Sequence, residues 1–183
     1  MKQGFVIWFT GLPSSGKTTL ARHLEQILLK KNRRVEVLDG DQLRRELDPE
    51  VGFSKTDREI HIRRVAYVSK LLARNGIIVL VSLVSPYRNV RVDARKKIVN
   101  FVEVWVKCSI EKCIERDVKG LYKKALTGEI PNMTGIQDPY EEPVSPEVIV
   151  NTENESIKKS ITKIIDKLID LKYLPKEFNE NTD

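Results

Sequence analysis

The chain has 183 residues, 40% of them apolar, which suits one α/β domain with a filled core. Its 32 basic and 26 acidic side chains leave a formal charge of +6, a balance that fits anionic ligands such as nucleotides. No basic run is long enough for a nucleic-acid arm, and the first residues carry no signal-peptide pattern. No apolar run approaches the roughly 18 residues of a membrane span. Cys108 and Cys113 lack CxxC spacing and predict a reduced, cytoplasmic setting.

Residues 5–10 (FVIWFT) are apolar, β-branched and aromatic, and predict a buried strand. The next stretch, Gly11-Leu12-Pro13-Ser14-Ser15-Gly16-Lys17-Thr18, matches G-x-x-x-x-G-K-[ST] at each fixed position. Over 17–31, Leu20, Leu24, Ile27 and Leu28 recur at helical spacing. Strand, glycine-rich loop and helix together make a phosphate cradle. Successive N–H groups face one anion, and the helix N-terminus adds its positive dipole end. This assigns ATP binding to 11–19, including Thr19, and makes Lys17 a catalytic contact to the β/γ-phosphates. The Thr18 hydroxyl is assigned to Mg²⁺. The basic cluster at 30–34 ends the helix beside its negative dipole end.

Residues 34–38 (RVEVL) predict a second strand ending in Asp39-Gly40-Asp41. That carboxyl edge is where open parallel sheets hold ligands. Two carboxylates there serve a metal or a substrate hydroxyl; the competing reading is an Asp-Gly turn with Asp41 capping a helix from 42. A loop over 50–55 carries Gly52 and Phe53. A long helix is predicted over 56–75, with Ile60, Tyr67, Val68 and Leu71 on its apolar stripe. Ile62, Val65, Ala66 and Leu72 widen that stripe. Arg58, His61 and Arg64 share a face, either anion-binding or merely solvated.

Residues 77–81 (IIVLV) predict a central strand beside the first. It ends at Ser82 to Arg88 without the acid that motor ATPases and GTPases place there, which argues for a small-molecule kinase. Ser85 is a substrate contact, a nucleophile or a plain loop serine; no histidine is near it in sequence. A basic helix over 89–97, a strand over 101–107 and a helix over 109–117 follow. Lys119-Gly120-Leu121-Tyr122-Lys123-Lys124 then opens a turn-rich stretch to 146. Its length and basic entrance predict a lid over phosphates, about 119–146. A last strand falls at 148–150, and an amphipathic helix at 156–171 turns Ile157, Ile161, Ile164, Ile165 and Leu168 inward. The polar tail over 175–183 is expected to fray.

Taken together, these residues resemble the adenylylsulfate (APS) kinases of sulfate assimilation. The likeness covers about 4–152, through GLPSSGKTT at 11–19, LDGDQLR at 38–44, GFS at 52–54 and DR…RR at 57–64. It continues with SPYR at 85–88, RDVKGLYKKA at 116–125, TGI at 134–136 and YEEP at 140–143. The expected fold is three-layer α/β of the P-loop nucleotide-kinase kind, with a mostly parallel five-stranded sheet and a lid, in one domain over 1–183. The resemblance implies transfer of the ATP γ-phosphate to the 3′-hydroxyl of APS, giving PAPS, with ATP and Mg²⁺. A homodimer is implied, with no nucleic-acid or membrane partner.

By position, Asp41 would hold or deprotonate the 3′-hydroxyl and Asp39 would lie near the metal. Arg44 and Arg58 would contact the phosphosulfate, and Phe53 would stack on adenine. Val84, Ser85, Pro86 and Tyr87 would line the same pocket, Lys119 would reach it from the lid, and His61, Asn132 and Met133 complete the acceptor side. Ser85 aligns with a serine sometimes described as a phosphoserine intermediate; direct in-line transfer needs only positioning and electrostatics. Three positions depart from the family pattern. His61 stands where Asn is usual, Met133 where Phe is usual, and Leu126 where Arg is common. All lie on the acceptor side, so the alternative is a 3′-hydroxyl kinase of another nucleotide, such as a cytidine diphosphate derivative. A nucleic-acid ATPase would need a strand-end acid and a basic stripe that the sequence lacks.

Overall fold

The computed structural model describes residues 4–181. Residues 1–3 and 182–183, on which the signal-peptide reading and the end of the expected tail fall, lie outside the described residues. Strands Val6–Thr10 (β1), Val35–Asp39 (β2), Ile78–Ser82 (β3), Phe101–Lys107 (β4) and Val148–Asn151 (β5) form one sheet in the order β2-β3-β1-β4-β5. Every pairing is parallel. β3 lies beside β1 as expected, but β1 itself takes the centre. Helices Lys17–Lys30 (α1), Gly40–Glu46 (α2), Lys55–Arg74 (α3), Arg88–Lys97 (α4), Ile110–Arg116 (α5), Leu121–Leu126 (α6) and Ile157–Asp170 (α7) complete the order.

Side chains of a strand alternate between faces, and a parallel sheet must bury both. Ile7 and Phe9 pack with Leu20, Leu24 and Leu28 of α1 and Ile161, Ile164 and Leu168 of α7. Val6 and Trp8 pack on the other face with Ile62 and Val65 of α3 and Val90 and Ala94 of α4. A third, smaller cluster joins Cys113, Tyr122, Ala125 and Met133 to Leu12 of the phosphate loop and Ile136.

Three sequence readings need correction. The apolar stripe of α3 runs through Ile62, Val65, Ala66 and Ala73, while Tyr67 is 61% exposed. Periodicity alone could not choose between adjacent stripes, and buried His61 and Ser69 made the true one look polar. On α7, Ile157 faces outward. The tail does not fray within the described residues. Lys176–Asn181 forms a 3₁₀ helix, with Phe178 buried in the core.

Candidate active site

The chain leaves β1 and turns at once into the phosphate loop. An added Cβ at Gly11 would lie 2.5 Å from the Val106 carbonyl oxygen, so only glycine permits this approach to β4. Gly16, at φ 99°, is left-handed and starts α1 without a capping side chain. The first N–H groups of α1 are thus open to an anion. Lys17 is buried, and its Nζ donates to the carbonyls of Gly11 at 3.0 Å and Leu12 at 2.6 Å. Burial disfavours its charge and pushes its pKa down to about 7. The loop is braced from outside. Tyr122 Oη donates to the Pro13 carbonyl at 3.0 Å, and Thr152 Oγ1 donates to that of Ser15 at 2.8 Å.

Thr18 Oγ1 donates to Asp39 Oδ2 at 3.0 Å and lies 3.0 Å from Ser82 Oγ. Asp39, not Asp41, caps α2: its Oδ1 accepts from the Asp41 N–H at 3.1 Å. Among the described residues no cluster of three His, Cys, Asp or Glu forms a cage for a metal. One hydroxyl and one carboxylate beside a phosphate site still fit Mg²⁺, which keeps several waters and borrows phosphate oxygens.

A cavity of about 630 Å³ runs from this loop across α2 and α3 to the segment around Met133. Asp41 lies on its wall, and its carboxylate pairs with Lys119. Further along, the Phe53 ring is exposed and flanked by guanidinium groups, Arg44 at 4.5 Å and Arg58 at 5.6 Å from its centroid. Backbone carbonyls hold both arginines: Arg44 donates to Gly52 at 2.9 Å, and Arg58 to Phe53 at 3.0 Å and Asn132 at 2.8 Å. Burial lowers the pKa of each. Ser14, Gly16, Thr18, Thr19, Val84, Ser85, Pro86, His61 and Met133 also line the space. Two buried side-chain polar atoms among the described residues have no hydrogen-bond partner, His61 Nε2 and Thr134 Oγ1. Both residues line this cavity, as unmet groups at a ligand site do.

Two expected contacts sit elsewhere. The Tyr87 ring is buried against α3 and α4, its hydroxyl donating to Asp138 Oδ2 at 2.5 Å, so it supports the wall without forming it. Asn132 is exposed, is not among the residues lining the cavity, and accepts from Arg58 through its carbonyl. His61 and Arg64 do not make an open anion face, because both bind the buried carboxylate of Asp48. Ser85 is buried at φ 46°, and its Oγ accepts from Trp8 Nε1 at 3.0 Å. Sequence reasoning passed over Asp48, Ser82, Arg116 and Thr152. Ser82 had a signal, since it ends β3 where an acid was sought. Arg116, which donates to the Thr152 carbonyl at 2.6 Å, meets a residue 36 positions away, and no local pattern announces that.

A parallel 2-3-1-4-5 sheet with a lysine-bearing phosphate loop at the end of its central strand defines a P-loop phosphotransferase. The adenylylsulphate kinase family model matches residues 3–151. This chain belongs to that family. An adenylyl-sulfate kinase of Rippkaea orientalis is 53% identical over 96% of this chain and 97% of its own. The Mycobacterium tuberculosis APS kinase CysC, solved with AMPPNP and APS, superposes with a TM-score of 0.88 at 41% identity, over 92% of this chain and 99% of its own. A hexameric APS kinase from Thiobacillus denitrificans has a TM-score of 0.72 at 33% identity, over 94% of this chain but 30% of its own.

Proposed function

We propose that the protein is an APS kinase, moving the γ-phosphate of ATP to the 3′-hydroxyl of APS to give PAPS and ADP. The observation that carries this is the single cavity joining the phosphate loop to the Arg44–Phe53–Arg58 cluster, with Asp41 between them. The 11–19 loop and the start of α1 hold the donor phosphates. Lys17 exchanges its two carbonyl partners for phosphate oxygens and balances the charge on the group in transfer. Thr18 and Asp39 would hold Mg²⁺, which neutralises phosphate charge when bound. Asp41 orients the 3′-hydroxyl and takes its proton as the new O–P bond forms. Arg44 and Arg58 grip the acceptor anion, and Phe53 offers its exposed ring to the base. The segment 119–146 acts as the lid, bringing Lys119 over the site and excluding water.

Ser85 belongs to the wall in this scheme and transfer is direct: its side chain is buried, and its Oγ accepts from Trp8 Nε1. The free thiols of Cys108 and Cys113 suit a reducing cytoplasm, and no described helix is long and apolar enough to cross a membrane. A homodimer is the expected assembly. The test is a coupled assay of ADP release across APS, adenosine 5′-phosphate and cytidine nucleotides. APS should be the preferred acceptor by kcat/KM. Preference for a cytidine nucleotide would overturn the substrate assignment and leave the kinase chemistry standing.

A further inference from the structure

The scheme above leaves the buried pair of Asp48 and His61 unexplained. Asp48 follows α2 and has no exposed side-chain surface. One of its oxygens accepts from Arg64 and the other meets Nδ1 of His61. Burial works to raise the Asp48 pKa, but the hydrogen bonds from Arg64 and His61 outweigh it and hold the pKa low. The carboxylate is therefore ionised and fixes the proton of His61 on Nδ1. That leaves Nε2 buried with a bare lone pair and no partner, on a residue that lines the cavity.

Such an atom accepts a hydrogen bond when neutral and donates one only when the ring is charged. Its neighbours discourage charge while the cavity holds no anion. Burial lowers the His61 pKa, Asp48 opposes that, and Arg44 on α2 and Arg64 on α3 add to the lowering. The wall also carries Arg58, Lys17 and Lys119, against Asp39 and Asp41. A dianion seated among these cations reverses the balance.

We propose that His61 is a proton-linked specificity residue of the acceptor site: as the anionic acceptor binds, Nε2 takes one proton from solvent and donates it in a hydrogen bond to the acceptor. This rests on the proposed APS acceptor. The phosphosulfate anhydride has no group that titrates near neutrality, so the ligand can neither supply nor absorb that proton. The direction follows from linkage. Burial and the nearby cations lower the pKa of His61 in the free protein, and a bound dianion raises it. Acceptor affinity therefore falls as pH rises between the free and bound pKa values, by up to about tenfold per pH unit.

Titration calorimetry of APS into the ADP-saturated protein, at neutral pH in buffers of different ionisation enthalpy, reads the proton directly. ADP already occupies the phosphate loop, so proton changes at Lys17 cancel. The wild type should take up about half a proton or more, and its KM for APS should rise at least about threefold from about pH 6.5 to 8. H61N keeps a neutral amide donor and should show neither effect. Equal uptake in both proteins, or none in the wild type, refutes the proposal. If H61N fails to fold, the wild type still decides. It has two histidines, and H23Q identifies the other imidazole signal. APS should move the His61 ring resonance to its protonated position; an unmoved resonance refutes the idea. If APS binds at no pH and releases no ADP, the acceptor assignment fails, and this inference fails with it.

Discussion

Phe53→Ala separates recognition from folding. The ring is 56% exposed, so truncation opens no cavity in the core. What the folded protein loses is contact with Arg44 and Arg58, and exposed cation–π pairs contribute only about 0.5–1 kcal/mol. For a chain of 183 residues that lowers Tm by about 1–4 °C. The acceptor loses more. A base stacked on an aromatic ring gains about 1–3 kcal/mol, so KM for APS should rise about 5- to 150-fold. The ATP KM should stay unchanged, because Phe53 lies beyond Asp41, away from the phosphate loop. The assay is coupled ADP release with each substrate varied, alongside thermal unfolding. An APS KM within about twofold of wild type, with the ring gone and the fold intact, would refute the stacking role.

Lys17→Ala should lower kcat by about 10² or more in the same assay, the scale of losing one preorganised donor. Asp41→Asn keeps the shape and removes the charge, so kcat should fall about 10²–10⁴-fold with little change in the ATP KM. Ser85→Ala leaves the Trp8 N–H unpaired in the core and should cost about 1–3 kcal/mol in denaturant unfolding. It should nevertheless retain substantial turnover, and the wild type given ATP alone should carry no acid-stable phosphate. Label on Ser85 that APS chases into product would overturn direct transfer.

Much of this was legible because it is local. The phosphate loop needs neighbours along the chain, and the strands announce themselves by apolar runs that a parallel sheet buries on both faces. What stayed hidden depends on residues far apart. The buried face of α3 contains His61, which is tolerable only because Asp48, 13 residues earlier, folds back against it. Phe178 looked like part of a polar tail until α7 carried it back to Phe5 and Tyr173. Helix α6 is short and basic, and its start is held by Asp117, which accepts from the N–H groups of Tyr122 and Lys123 at 3.0 Å each. Asp39 and Asp41 were both seen, but which of them caps the helix depended on backbone angles that the sequence does not print.

The ion pair between Lys119 and Asp41 bears on a hazard common to kinases, the leakage of phosphate to water. While the lysine holds the carboxylate, a water molecule straying into the acceptor space would meet a base already engaged, and ATP bound alone should be spared hydrolysis. A guest more anionic than one carboxylate draws the lysine away and frees Asp41 at the moment a proper hydroxyl has arrived. Lys119→Ala should therefore release ADP faster than wild type when no acceptor is present, and an unchanged rate would count against this guard. The same two side chains would thus set both how fast the enzyme works and how quietly it waits.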